Sequence, residues 1–185
     1  MDDKLIKRRR LIMSWNYEKE EQWLNDLSRE GLHFKKAGKF SSSFFARDES
    51  VRYTYRLDYQ TGQARGSAKF QEYVDLYQGA GWEYVSSYGS LWHYFRREWQ
   101  PGEEPQLYTD RESLIQFYKR LQRVMGIMLL ANLVLMLTNM INLRSFFTDR
   151  LWAVGVPLIV LYLCLFAVLG YGLWRMQKKV KGLKL

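Results

Sequence analysis

The residues best suited to catalysis are few in this chain, and their spacing does not assemble a reactive site. The histidines are His33 and His93, and no carboxylate or cysteine stands at metal-ligand spacing around either. The sole cysteine, Cys164, excludes an intrachain disulfide and a CxxC centre. Phosphate-binding glycine loops, GxSxG elbows and HExxH motifs do not occur. The sequence therefore predicts no catalytic residue, metal site or cofactor, and it favours a protein that is not an enzyme.

Aromatic side chains are the residues most suited to binding a ligand. Most of them should fill the core of a small domain. In the segment 91–97, however, Trp92 and Tyr94 alternate with other apolar residues, so both faces of a strand would carry large side chains. Part of this surface should then be exposed or covered by a partner, unless all of it is core. The expected binding residues are Trp92, Tyr94, Tyr53 and Tyr55.

The net charge of +9 is confined to the end of the chain. Residues 1–110 hold 17 Lys/Arg and 17 Asp/Glu, whereas residues 111–185 hold 11 and 2, a difference of nine. Nucleic-acid binding needs basic residues on the folded domain itself. We therefore expect no nucleic-acid partner and assign the basic excess to the flanks of a membrane segment.

Two apolar runs, 124–143 and 152–174, contain no charged residue. Each has about twenty residues or more, the length that spans roughly 30 Å of hydrocarbon as a helix. Asn132 lies near the middle of the first run. An amide at that depth needs a hydrogen-bond partner in another helix. The partner helix belongs to this hairpin or to a second protein, as in a homodimer or a complex with another membrane protein.

The flanking charges predict the orientation of the hairpin. Lys and Arg cluster before the first run and after the second, so both termini should face the cytoplasm, with 144–151 outside. The N-terminus lacks the apolar stretch of a cleavable signal peptide. The lipid bilayer is therefore an expected partner. The expected membrane contacts are Asn132, Trp152, Trp174, Lys178 and Lys179.

Periodicity predicts an α+β domain before the hairpin. The clearest strand is 51–59, in which apolar residues alternate with a solvated row of Arg52, Thr54, Arg56 and Asp58. Helix caps are expected at Asn16, at Ser67 and in a capping box that begins at Thr109. The predicted elements are strand 9–15, helix 17–30, strands 32–36, 40–47 and 51–59, helix 68–78, and strands 82–86 and 91–97.

The same pattern occurs twice at an offset of fifty residues. Gly31 corresponds to Gly81, and Phe45 corresponds to Phe95. We predict two strand–helix–strand–strand repeats that share one mostly antiparallel sheet, with two helices on one face and a binding groove where the repeats meet. Each glycine should end its helix with a positive φ.

These patterns divide the chain into seven segments. They are a duplicated α+β domain (1–99), a linker (100–109), a juxtamembrane amphipathic helix (110–123), the first span (124–143), an external loop (144–151), the second span (152–174) and a basic cytoplasmic tail (175–185).

The segments "EEQWLNDLSREGLHFKKAGKFSSSFFAR", "VRYTYRLDY" and "AGWEYVSSYGSLWHYFRR" resemble a bacterial family of unknown function, DUF family twenty-eight-twelve. The resemblance covers about Trp15 to Arg97. It implies a cytoplasmic domain followed by membrane helices, often encoded near PadR-like regulators, and it supplies no reaction. We expect a membrane-anchored sensing or adaptor protein that binds a protein, peptide or small ligand. The alternative is an accessory subunit of a transporter or other membrane complex.

Overall fold

A computed structural model describes residues 5–62, 65–142 and 152–184, with the backbone alone for 152–154. The chain divides into two compact units, residues 1–113 and 114–185. The first unit is an α+β domain and the second consists of two long helices.

Among its described residues, the first unit contains six strands and two complete α-helices. They are β1 (Ile6–Arg9), α1 (Tyr17–Arg29), β2 (Leu32–Ala37), β3 (Ser42–Arg47), β4 (Tyr53–Tyr59), α2 (Ala68–Gly79), β5 (Glu83–Tyr88) and β6 (Trp92–Glu98). The order strand–helix–strand–strand occurs twice, as predicted. The first strand lies earlier than expected, because the predicted strand 9–15 is replaced by β1 and a short 3-10 turn, Ser14–Asn16.

The strands form two antiparallel three-stranded sheets, in the orders β1-β3-β2 and β4-β6-β5. Their registers agree at the offset of fifty residues: Ile6 pairs with Phe45, and Arg56 pairs with Phe95. The irregularities agree as well, since β2 shifts register at Phe34/Lys36 and β5 shifts at Tyr84/Ser86. The two halves of the domain therefore have the same strand pairing, position by position.

The sheets remain separate, where the sequence predicted one continuous sheet. Strands β2 and β5 lie beside each other, and the Ala37 N–H donates to Ser86 Oγ at 3.4 Å, but no backbone ladder joins them. The register shifts of both strands lie close to this contact, at Phe34/Lys36 in β2 and at Tyr84/Ser86 in β5. A bulge leaves a residue unpaired and bends the strand, which interrupts regular pairing with a neighbour.

The helices contact opposite faces of the second sheet, which differs from the predicted arrangement on one face. Glu20 of α1 accepts a hydrogen bond from the hydroxyl of Tyr94, whereas Tyr77 of α2 contacts the ring of Phe95 at 4.5 Å. Consecutive strand residues point to opposite faces. Both faces of β4 and β6 are consequently covered, and the row expected to be solvated contains the fully buried Asp58.

Helix α1 also covers the outer edge of β4. Three of its side chains accept hydrogen bonds from alternate backbone N–H groups of this strand. The bonds are Tyr53 N–H to Ser28 Oγ (2.7 Å), Tyr55 N–H to Asn25 Oδ1 (2.6 Å) and Leu57 N–H to Glu21 Oε1 (2.8 Å). An uncovered edge strand presents unpaired N–H groups that can pair with another chain. In this half, helix α1 blocks that edge.

The predicted terminal glycines are present at the helix ends, but only one of the three predicted N-caps is. Gly31 (φ +74°) and Gly81 (φ +81°) are left-handed, as predicted, and Ser67 Oγ accepts from the Phe70 N–H at 3.1 Å. Asn16 does not cap α1, because it belongs to the preceding 3-10 turn and its side chain makes no cap bond. At the next helix Asp110 Oδ1 accepts from the Ser113 N–H at 2.7 Å, so the cap is not the predicted Thr109.

The second unit consists of α3 (Arg111–Asn142) and α4 (Trp152–Lys184). Both helices are long and apolar enough to cross a membrane, and they expose large apolar side chains such as Ile141 (73% exposed) and Leu161 (62%). The predicted juxtamembrane helix and first span are one continuous helix, and the basic tail continues α4. The predicted loop 144–151 lies outside the described residues.

Candidate functional site

A pocket of about 90 Å³ lies between the two halves of the α+β domain and is lined by Trp92 and Tyr94. The first half contributes residues from the end of β1, from α1 and from the β2–β3 hairpin. The second half contributes β5 and β6. Besides these two rings, the lining includes Arg10, Tyr17, Glu20, Ser43 and Tyr88. The groove predicted from the sequence thus corresponds to a small pocket that holds two of the four expected binding residues.

Aromatic contacts fix the wall of this pocket. The rings of Tyr17 and Trp92 are stacked with centroids 6.0 Å apart, and Tyr59 meets Trp92 edge-on at 5.1 Å. Tyr59 and Tyr17 are buried, which restricts the rotamers of the Trp92 side chain. The indole therefore forms a rigid apolar surface, suited to contact a ligand without a large loss of conformational entropy.

Glu20 is the acidic group of the pocket. The Tyr94 hydroxyl donates to Glu20 Oε1 at 2.7 Å. Burial raises the pKa of Glu20, while the bond from Tyr94 and the charge of Arg10 act in the opposite direction. Burial and the adjacent carboxylate raise the pKa of Tyr94, so its hydroxyl stays protonated as a donor. The pair supplies a carboxyl group that is held in one orientation.

Arg10 supplies the opposite charge. Its guanidinium lies over the ring of Trp23 at 5.7 Å from the centroid, a cation–π contact. A guanidinium and a carboxyl group in one pocket can hold the two ends of a zwitterion. The rings of Trp92 and Tyr94 line the same pocket.

The structure places the other two expected binding residues elsewhere. Tyr55 is fully buried, its hydroxyl accepts from the Phe34 N–H at 3.1 Å, and burial raises its pKa to about 12. Tyr53 lines an open groove beside Arg52, and Arg96 lies over its ring at 4.2 Å. Neither residue lines the pocket of Trp92 and Tyr94.

Asp58 is the centre of a buried polar cluster that the sequence analysis missed. Its carboxylate accepts hydrogen bonds from Tyr73 (2.8 Å), Tyr77 (3.2 Å) and the Gln60 amide (3.0 Å), and the Tyr108 hydroxyl binds its other oxygen. Tyr108 belongs to the predicted linker, so this cluster ties the linker to β4. The period-two pattern gave no signal of it, because periodicity does not show whether a helix covers the second face.

The histidines are packed inside the domain. His33 Nε2 lies 2.6 Å from the Asp48 carbonyl oxygen. His93 is fully buried among Phe70, Tyr73 and Tyr84, and its ring nitrogens have no hydrogen-bond partner among the described residues. Burial lowers the pKa of His93 and keeps the ring neutral. Within the described ranges no three His, Cys, Asp or Glu side chains are placed to hold a metal ion.

The expected membrane residues lie on the helices of the second unit. Asn132 Nδ2 donates to the Met128 carbonyl of its own helix at 2.8 Å, while Asn139 Nδ2 donates across to the other helix, to the Tyr162 hydroxyl at 2.7 Å. Trp174 is exposed, with Lys178 over its ring at 5.7 Å, and Lys179 lies over Tyr118 at 5.3 Å. Trp152 begins α4, and its side chain is outside the described part of the chain.

These features define a class of protein: a small α+β domain with a ligand-sized pocket, followed by two helices of membrane-spanning length. Residues 16–130, more than half of the chain, match the family described as "Protein of unknown function (DUF2812)", and the chain belongs to this family. It matches no curated protein and no solved structure closely enough to show a relationship.

Proposed function

We propose that this protein is a membrane-anchored, non-enzymatic sensing module whose α+β domain binds a small zwitterionic ligand in the pocket of Trp92 and Tyr94. The single observation that carries the proposal is the presence of Glu20 and Arg10 in the same pocket, beside a rigid indole. A cavity of about 90 Å³ admits roughly six water-sized groups, which is the size of a small amino acid. A folded partner protein would need a larger surface.

The two halves of the domain, in this proposal, are an internal repeat, and the ligand binds at their junction. Their agreement in strand register at an offset of fifty residues supports this. A ligand that contacts both halves would stabilise one arrangement of them, which is how binding becomes a signal.

The anchor has two spans in the cell membrane, and the domain and both termini face the cytoplasm. The Lys and Arg residues before 124 and after 174 support this orientation. Reporter fusions after Leu185 and within 144–150 test it. One such reporter is active only outside the cytoplasm. If it is active when fused after Leu185, the orientation is refuted.

The alternative function, an accessory subunit recognised through the spans, depends on Asn132. One N–H of its amide donates to the Met128 carbonyl of its own helix, and an amide has a second N–H and an oxygen with which it could bind a partner. Under this alternative Asn132→Leu abolishes capture of the partner and Trp92→Ala does not. Under the proposed function Trp92→Ala abolishes ligand binding and Asn132→Leu leaves it unchanged.

Thermal unfolding of the full-length protein in detergent micelles, followed by tryptophan fluorescence, tests the ligand class. Alanine serves as the zwitterion, and propylamine and propionate serve as analogues with one charge. A ligand at a hundredfold excess over its Kd stabilises the folded state by about 2.7 kcal/mol. We expect alanine to raise the Tm and each analogue to raise it less.

Variants of the pocket locate the effect. Trp92→Ala and Glu20→Gln should abolish the shift produced by alanine, whereas Phe40→Ala, an exposed residue (88%) that does not line the pocket, should retain it. The proposed site is refuted if none of the three compounds raises the Tm, or if alanine still raises it in both pocket variants.

A further inference from the structure

Three side chains of α1 accept hydrogen bonds from the edge of β4, and helix α2 has polar side chains at the positions fifty residues later. The residues of α1 are Glu21, Asn25 and Ser28, and their counterparts are Gln71, Asp75 and Gln78. All three counterparts have side-chain oxygens that can accept from a backbone N–H. All three are exposed, and the Gln71 amide donates to Asp75 at 2.7 Å, within the helix itself.

Strand β1 is the counterpart of the C-terminal part of β4, and it lies at the end of its sheet. Among the described residues its sheet partner is β3, on one side only. Its register with β3 is that of β4 with β6, since Lys7 pairs with Phe44 as Leu57 pairs with Tyr94. The Leu57 N–H points outward to α1. The matching register directs the Lys7 N–H to the outer edge of β1 in the same way, and the Leu5 N–H corresponds to that of Tyr55.

We propose that a second copy of this chain docks here, with α2 of one copy covering the outer edge of β1 of the other. In this arrangement Gln71 accepts from the Lys7 N–H, and Asp75 accepts from the Leu5 N–H. Two such contacts, related by a twofold axis, close the assembly as a dimer. The proposal concerns surfaces outside the pocket lining and does not depend on the proposed ligand.

Charge and exposure favour a second copy over another partner. Strand β1 carries Lys7, Arg8 and Arg9, whereas α2 carries Glu72 and Asp75 against a single base, Lys69. Complementary charges of this kind favour association and select against like-charged partners. Leu76, on the same helix, is 71% exposed. The chain already uses this contact once, where α1 covers β4, so each copy contains both halves of the interface.

Cross-linking between differently tagged full-length chains tests the contact. Both chains carry Cys164→Ala, which removes the only cysteine. One chain carries Lys7→Cys and the other carries Gln71→Cys, and membranes that contain both are treated with a short bifunctional maleimide. We expect a product that carries both tags. The matched control replaces Lys7→Cys with Phe40→Cys, on the exposed β2–β3 hairpin, and should give no such product. Equal yields from the two pairs would overturn the proposal.

Charge reversal provides a second measurement on the purified protein. Asp75→Lys places like charges across the contact and should raise the dimer dissociation constant at least about tenfold in analytical ultracentrifugation. Combining it with Lys7→Glu should restore association. Both positions are exposed, and circular dichroism checks that the domain remains folded. A monomeric wild-type protein, or a dimer that Asp75→Lys leaves unchanged, would also overturn the proposal.

Discussion

Asn25 Oδ1 accepts a hydrogen bond of 2.6 Å from the backbone N–H of Tyr55, which joins the helix of one half of the domain to the edge strand of the other. Tyr55 is fully buried, so this N–H has no access to solvent. The bond is the middle one of three that replace a neighbouring strand for β4. The two halves are therefore connected by backbone hydrogen bonds as well as by apolar contacts.

Asn25→Ala should lower the free energy of unfolding by about 1–3 kcal/mol, because it leaves a buried donor without an acceptor. Urea unfolding of the full-length protein in detergent micelles measures the change. Asp26→Ala is the matched control, since Asp26 lies on the exposed side of the same helix in an ion pair with Arg29. An exposed pair of this kind contributes little. Equal losses for the two variants would contradict the role assigned to the bond.

Glu21 should make the domain less stable as the pH rises from about 5 to about 8. Burial raises the pKa of Glu21 from its usual 4.5 to about 7, against the bond from Leu57 and the charge of Arg56. The folded state therefore binds a proton more tightly than the unfolded state. The stability that protonated Glu21 contributes to the folded state is fully present below pH 4.5 and is lost as the pH passes through about 7.

Glu21→Gln keeps an oxygen acceptor for the Leu57 N–H and removes the titration. A shift of this size corresponds to a stability change on the order of 3 kcal/mol. Between about pH 5 and about pH 8, the loss of stability should be smaller in Glu21→Gln than in the wild type. Part of the dependence of stability on pH should remain in Glu21→Gln, because the pKa of Glu20 is raised as well. A wild type that becomes more stable over this range would refute the assignment.

Gly31→Ala should destabilise the domain more than Gly81→Ala. Both glycines have positive φ, so each substitution costs about 1–2 kcal/mol for the left-handed conformation. At Gly31 the added Cβ would also lie 2.8 Å from Cγ of Glu49, whereas at Gly81 its nearest neighbour is 3.9 Å away. Denaturant unfolding measures the difference. Gly79→Ala, at the last residue of α2, should instead stabilise the helix, by less than the about 1 kcal/mol of an interior position. A reversed order of Gly31 and Gly81 would contradict the steric argument.

Asp58→Ala should lower the free energy of unfolding by at least about 3 kcal/mol, because the buried Tyr73 hydroxyl and three partly buried donors lose their acceptor together. Tyr108→Phe removes one of these donors and should cost about 1 kcal/mol. It should also speed proteolysis within 100–107, because the linker loses its bond to β4. Glu98→Ala, at an exposed end of β6, is the control. Cleavage of Tyr108→Phe at the wild-type rate would show that the bond does not hold the linker.

The sequence by itself determined most of the elements and the two helices of membrane-spanning length, because both depend on local patterns. Period-two alternation located β4, and the need for a left-handed residue at a helix end identified Gly31 and Gly81. The lengths of the apolar runs identified α3 and α4. These signals lie within a few residues of each other, and tertiary contacts did not override them.

Only the tertiary structure decided which faces are covered and which residues meet. Alternation in β4 correctly placed Asp58 opposite Tyr55, but it could not show that α2 and Tyr108 bury the second face. The same limit applies to the pocket, because Glu20 and Tyr94 are 74 positions apart and their hydrogen bond exists only when the two halves assemble. Periodicity describes the orientation of a side chain relative to its own strand or helix. The partner of that side chain depends on how the elements pack.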